Sequence, residues 1–102
     1  MPFFNALFNK KKKIKDYYNK GAVIVDVRTE TEFMQGAIPN TLNYPLQTLN
    51  QHINNIKKLN KPVITCCASG VRSGIASKLL KQKGVDCING GGWLSLSKKL
   101  EF

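Results

Sequence analysis

Three short runs of apolar, mostly β-branched residues, Ala22–Val27, Val63–Cys66 and Val85–Ile88, alternate with stretches of helical periodicity, and any fold of this chain has to satisfy that alternation. The first run follows Gly21 and is compact enough to read as a buried strand of the parallel kind. Thr29 precedes Glu32 by three positions, a capping-box spacing, so Glu32–Gln35 reads as a helical turn stopped by Gly36. Ile38-Pro39-Asn40 and Tyr44-Pro45 are turn and extended signals. Between Leu46 and Leu59 the apolar residues Leu46, Leu49, Ile53, Ile56 and Leu59 recur every three or four positions, one face of a helix that ends before Pro62. Ile75, Ala76, Leu79 and Leu80 give the same period from about Arg72 to Gly84, a helix stop. A last helical turn carries Leu94, Leu96 and Leu100. Strands separated by helices, joined through Gly or Pro, predict an α/β fold: a small, mostly parallel sheet flanked by helices in three layers.

At 102 residues and 42% hydrophobic, the chain has material for one modest core and no second lobe. The longest apolar run, Ala22–Val25, is far below the roughly 20 residues of a membrane span. The net charge of +10 raises a nucleic-acid reading, but its distribution is uneven. Residues 1–20 hold six Lys against one Asp, half of the excess on a fifth of the chain. This divides the sequence into a basic N-terminal segment, 1–20, and a domain over 21–102. In the segment Phe3, Phe4, Leu7 and Phe8 precede Lys10–Lys13 and Lys15, the reverse of a secretory signal, and Pro2 excludes the glycine that myristoylation needs. A weak peripheral membrane contact, a nucleic-acid contact and a solvated helix start with its Phe residues packed on the domain all fit; the last is the expectation, and no nucleic-acid partner is expected.

Three cysteines, two of them adjacent, make no disulfide framework, and cytoplasm is the expected compartment. Cys66 and Cys67 have no second pair at zinc spacing, and the single histidine, His52, lies in a polar stretch and reads as a surface residue. No metal site is expected.

The segment that carries chemistry is strand, Cys67, a loop of small residues, then a helix. The first turn of a helix has unpaired N–H groups, and with the macrodipole they favour negative charge. A cysteine at the rim of such a site is held as thiolate, below its free pKa of about 8.5. Ala68, Ser69 and Gly70 are small enough for the backbone to curl around the sulfur, and Gly70 is free to take a left-handed conformation. Arg72 adds a permanent cation with a planar fork of donors suited to an oxyanion. The local pattern fits equally a buried structural thiol beside an ordinary turn.

Asp26-Val-Arg28, Glu32-Phe33, Gly36-Ala-Ile38, Asn43-Tyr-Pro45, Cys67-Ala-Ser-Gly-Val-Arg-Ser73 and Asn89-Gly-Gly-Gly-Trp93 stand in the order and spacing of the rhodanese domain, and from Gly21 to Trp93 the chain resembles a single-domain rhodanese. The resemblance implies that Cys67 is the catalytic cysteine. It would take the sulfane sulfur of a donor, such as thiosulfate or a small-molecule or protein persulfide, and pass it to cyanide or a thiol, without a cofactor. It implies that Ala68, Ser69, Gly70, Val71 and Arg72 form the loop that cradles the persulfide, with Ser73 following at the helix start as a cap or hydroxyl donor and Arg72 serving catalysis. Asp26, Arg28 and Glu32 match a signature read as an ion-paired brace behind the site. Ala37 stands where the family often has His, and Ala68 and Ser69 stand where two-domain thiosulfate enzymes carry basic side chains, which turns expectation toward persulfide donors.

Counted from Cys66, the loop has the Cys-x5-Arg spacing of phosphatases that share this fold. Period-two alternation points Cys66 and Cys67 to opposite faces, so only one sulfur serves the loop, and no acidic residue in the loop serves as a general acid. Sulfur transfer through Cys67 is the expectation, with the phosphatase and a non-enzymatic persulfide carrier as alternatives. The run Gly90–Gly92 lacks the spacing of a dinucleotide fingerprint and is read as room for close backbone passage near the loop, with Trp93 packed beside it. Cys66 and Cys87 read as small core residues. Lys78, Lys81 and Lys83 are expected to lend their side a field that draws in acidic donors. The sequence sets no oligomeric state.

Overall fold

The computed structural model describes residues 2–102, with side chains from Asn9 onward. Its elements run α1, Pro2–Asn19; β1, Val23–Asp26; α2, Glu30–Met34; β2, Leu42–Asn43; a 3-10 helix, Leu46–His52; α3, Ile53–Lys58; β3, Val63–Cys67; α4, Val71–Gln82; β4, Cys87–Gly92; and α5, Trp93–Lys99. The strands form one sheet in the order β2-β1-β3-β4, every pairing parallel. This is the three-layer α/β architecture that the alternation of runs predicts.

Alternation along β3 divides the core in two. Val63 and Cys67 face a cluster with Val25, Val27, Leu49, Ile53, Ile56, Ala76 and Leu80, beneath the 3-10 helix, α3 and α4. Ile64 and Cys66 face a second cluster with Ile14, Ile24, Ile38 and Leu96, beneath α1 and α5. Each fully buried aliphatic side chain contributes about 1.5–3 kcal/mol.

Several elements depart from the pattern-based expectations. The 46–59 segment is not one helix: it begins as 3-10 and becomes α-helical at Ile53, and it still buries Leu49, Ile53 and Ile56 while Leu59 is left exposed. The last strand is not Val85–Ile88 but Cys87–Gly92, because the glycines continue pairing with β3 where no side-chain pattern marks them. Leu42–Asn43, to which the pattern assigns no element, is the edge strand β2. His52, expected on the surface, is half-buried and stacks on Tyr44 with 4.6 Å between ring centroids. The capping box on α2 forms as its spacing predicts, with Thr29 and Glu32 each accepting from the other's backbone N–H.

Helix α1 belongs to the packed body. Ile14 is fully buried in the second cluster, and the Tyr17 hydroxyl donates to Asp86, whose hydrogen bond pushes the phenol up to about 12. The change of composition after Lys20 is therefore not a boundary of packing. Lys10–Lys13 and Lys15 are exposed; the expectation that Phe3, Phe4 and Phe8 pack on the domain concerns side chains outside the described residues. Among the described residues no helix is long and apolar enough to cross a membrane.

Candidate active site

In an open α/β sheet the crevice for a ligand lies outside the carboxyl ends of the strands, where the strand order reverses. Here the chain lays β2 on one side of β1 and β3 on the other, so the reversal falls between β1 and β3. Asp26 and Arg28 stand at the end of β1, and Cys67 at the end of β3.

Beyond Cys67 the backbone turns through Ala68 and Ser69 to Gly70, which takes a φ of 101° and starts α4. This left-handed conformation favours glycine, and the close packing there does so again: a Cβ on Gly70 would stand 3.3 Å from the Gly91 Cα. The turn aims N–H groups at the sulfur. Gly70 N–H donates to Cys67 Sγ at 3.0 Å and Ser73 N–H at 3.3 Å, while the thiol donates to Ser73 Oγ at 3.3 Å. Burial pushes the Cys67 thiol up, but the Ser73 hydroxyl and the amides of Ser73, Gly70 and Ser69 outweigh it, and the pKa falls below the ordinary thiol value. The sulfur itself is fully buried beneath its loop, whereas Ala68, Ser69 and Val71 are exposed and form the rim.

Cys66 has the opposite environment. Its side chain lies in the second cluster, on the far side of the sheet, and burial pushes its thiol strongly up. The Cys-x5-Arg spacing is present in the sequence, but the sulfur it counts from does not face the loop. Cys87 is a core thiol that donates to the Ser77 carbonyl at 3.1 Å.

Arg72 does not stand free at the cradle. Its Nη1 and Nη2 reach Glu32 Oε1 and Oε2 at 2.7 and 2.9 Å, a bidentate pair about one-third exposed. Glu32, read as part of a brace with Asp26 and Arg28, instead bridges α2 to the start of α4. Arg72 holds the Glu32 carboxyl at about 2 through this hydrogen bonding, and backbone donation from Thr29 adds to it. The ion pair of the brace is Asp26 with Arg28, and Glu32 joins it only through its backbone carbonyl, which accepts from Arg28 Nη1 at 3.3 Å. Arg28 Nε and Nη2 bond Asp26, Nη2 also reaches the Gly36 carbonyl at 2.8 Å, and the guanidinium lies 4.6 Å over the Trp93 ring. Both charges are buried and hydrogen-bonded, as buried ions require.

The glycine run passes close to the loop, as expected. Between Thr65 and Cys67 on β3, β4 inserts an extra residue, and Gly92 lies so near that a Cβ would stand 2.8 Å from the Ala68 carbonyl oxygen. One residue, named in the sequence only as the start of the glycine run, has a role there that the reading did not assign. Asn89 Oδ1 accepts from Ser73 Oγ at 2.7 Å and from Gly91 N–H at 2.9 Å, and its Nδ2 donates to the Gly70 carbonyl at 3.1 Å. A polar residue in a half-buried strand ahead of three glycines was the available signal.

A groove of about 1260 Å³ lies elsewhere, between α1 and α4. Lys10, Lys13, Lys20, Lys78 and Lys81 line it, and it meets the Cys67 site only through Gly74 and Asn89. Lys83 is exposed at the end of α4.

A sequence model of the rhodanese-like domain family matches residues 10–99. The chain is 32% identical over 97 residues to a putative mitochondrial thiosulfate sulfurtransferase of Schizosaccharomyces pombe, covering 81% of this chain and 68% of that protein. It is 37% identical over 62 residues to a sulfurtransferase of Allochromatium vinosum, covering 61% of this chain and 57% of that protein. Its fold is shared with the crystal structure of a rhodanese-like domain protein from Staphylococcus aureus, with a TM-score of 0.71, 32% identity, and coverage of 84% and 86% of the two chains. The chain spans about half to two-thirds of the length of three curated relatives that it matches. Because the family match starts inside α1 and ends with the last residue of α5, it takes in every strand and the Cys67 loop, and the chain belongs to the rhodanese-like domain family.

Proposed function

We propose that this chain is a sulfurtransferase that carries sulfur as a persulfide on Cys67. The observation behind the reading is the set of N–H groups converging on Cys67 Sγ at the end of β3, which favours a thiolate and leaves acceptor-hungry backbone around it. The names of the Schizosaccharomyces pombe and Allochromatium vinosum relatives support the same activity.

In the first step the Cys67 thiolate attacks the sulfane sulfur of the donor. A new S–S bond forms and the donor's bond to that sulfur breaks, releasing sulfite from thiosulfate or a thiolate from a persulfide. In the second step a thiophile attacks the outer sulfur and Cys67 thiolate leaves: cyanide becomes thiocyanate, and a thiolate becomes a persulfide. Each leaving group takes the electron pair of the bond it breaks, so neither oxidant nor reductant is consumed. Two displacements through one covalent intermediate give ping-pong kinetics. Backbone donors from Ala68, Ser69, Gly70, Val71 and Ser73 surround the anionic outer sulfur. Arg72, neutralised by Glu32, adds little net charge, and Ala68 and Ser69 bring no cation. This rim suits a persulfide donor better than the thiosulfate dianion.

The test is the intact mass of the reduced protein after incubation with thiosulfate, and separately with a small-thiol persulfide, followed by cyanide. Wild type and Cys66→Ser gain one sulfur atom and lose it to cyanide with turnover, whereas Cys67→Ser gains none. Transfer that survives in Cys67→Ser and vanishes in Cys66→Ser would sink the reading.

A further inference from the structure

Ser73 Oγ sits between two groups that compete for its single proton once Cys67 is ionised. On one side, at 3.3 Å, is Cys67 Sγ; on the other, at 2.7 Å, is Asn89 Oδ1. A hydroxyl has one proton to donate and two lone pairs with which to accept. The orientation of the Asn89 amide is fixed by backbone partners of opposite kind, since Nδ2 donates to the Gly70 carbonyl and Oδ1 accepts from Gly91 N–H. Asn89 therefore presents only an acceptor to Ser73. While Cys67 is a thiol, the arrangement is a chain in one direction: the thiol donates to Ser73 and Ser73 donates to Asn89.

We propose that Asn89 is a positioning residue that sets the ionisation of Cys67 by competing with its sulfur for the Ser73 proton. When the thiol proton leaves to solvent, Sγ becomes an acceptor only. Ser73 then turns its proton to the sulfur, and Asn89 Oδ1 keeps only the Gly91 N–H. The two bonds exclude each other, so the short bond to Asn89 is given up each time the thiolate draws on the hydroxyl. Asn89 moderates the thiolate that the cradle amides favour, and it ties that moderation to the loop, because the same side chain holds the Gly70 carbonyl. Gly74 completes the fit: a Cβ there would stand 3.2 Å from Asn89 Nδ2.

Other charged and titratable groups near Cys67 stay constant when Asn89 is changed. They include Arg72 on α4 with its partner Glu32 on α2, the Asp26–Arg28 pair at the end of β1, Cys66 on β3, Cys87 on β4 and, against the first core cluster, Tyr44 with His52 stacked on it.

The proposal draws its kinetic meaning from the reading of Cys67 as nucleophile, but the titration that tests it does not require sulfur transfer. In the full-length reduced protein, the rate of Cys67 alkylation by iodoacetamide is followed against pH by peptide mass spectrometry. Asn89→Ala lowers the apparent pKa by about half a unit to one unit, a roughly threefold to tenfold faster reaction on the acid side. In the Ser73→Ala background the same substitution produces no shift. Asn89→Asp, close to isosteric, raises the pKa, and by more with Ser73 present than in Ser73→Ala. Trp93 fluorescence and circular dichroism establish that each variant is folded. An unchanged or raised pKa in folded Asn89→Ala, or an equal shift in both backgrounds, overturns the proposal. If Asn89→Ala does not fold, the Asn89→Asp comparison decides alone: a rise that is no larger with Ser73 present overturns it. Failure here with transfer still lost in Cys67→Ser leaves the proposed function standing, and the reverse outcome removes the function without touching the relay.

Discussion

The ion pair between Arg72 and Glu32 sets how much positive charge Arg72 brings to the start of α4, and on the proposed function that charge bears on an anionic donor. With Glu32 held at about 2, the pair is intact at neutral pH. Glu32→Gln keeps an acceptor for the Thr29 amide, so the cap on α2 survives, while Arg72 loses its counter-charge. The expected result is an about two- to tenfold lower KM for thiosulfate at low ionic strength, a gap that narrows in high salt. An unchanged KM would mean that Arg72 has no electrostatic reach to the donor. The stability contribution has a defined sign: because the folded pKa lies below the ordinary 4.5, the pair stabilises above that value and its contribution is lost as pH falls through about 2. Urea midpoints of wild type and Glu32→Gln should therefore converge toward acid. The positions of Cys67 and Gly70 were legible because their chemistry is local: a strand end, a helix start and a backbone turn that asks for glycine. The partner of Arg72 lies forty positions away, and that of Ser73 sixteen, and no local pattern specifies a pairing at such separation.

Strand β4 is the element whose two halves do different work. Its first half packs apolar side chains, while its glycine half brings backbone against backbone. The extra residue opposite Thr65–Cys67 is a bulge, uncommon between parallel strands and favoured beside functional loops. Substitutions should separate the two demands. A Cβ on Gly90 would meet Ile64 Cγ2 at 2.7 Å, the Thr65 carbonyl at 2.8 Å and Leu96 Cδ2 at 3.0 Å, all on the core side. Gly90→Ala is expected to cost about 1–3 kcal/mol by overpacking, read in urea denaturation. Gly92→Ala presses instead on the Ala68 carbonyl, so its larger effect should be on turnover per folded molecule. Equal losses of stability and turnover in the two variants would mean that the glycines serve packing only. The sequence placed β1, β3, α2 and α4 because each has a periodic or capped signature. It misplaced β4 and missed β2, since glycines carry no periodicity and a two-residue strand is too short to show any.

Over the molecule as a whole, the basic N-terminal helix is structural before it is electrostatic. Ile14 is fully buried on the α1 side of the sheet, so Ile14→Ala is expected to cost about 2–5 kcal/mol, a large part of the roughly 5–15 kcal/mol that holds a domain together. Calorimetric or urea unfolding of the full chain reads this directly, and a loss under about half a kcal/mol would show α1 to be dispensable. Charge alone had set residues 1–20 apart because composition reports solvent-facing lysines and is blind to one isoleucine beneath them. The division of the core by the sheet has a chemical corollary. Cys66 directly precedes Cys67 in the chain but keeps its sulfur on the other face, and Cys87, paired with Val63, lies four strand residues from Cys67, about 13 Å along the sheet. A Cys67 oxidised to sulfenic acid finds no second thiol of its own chain with which to condense. Rescue has to arrive from solution, over the rim of Ala68 and Ser69, so the working lifetime of this domain under oxidants is set by the thiols of its surroundings.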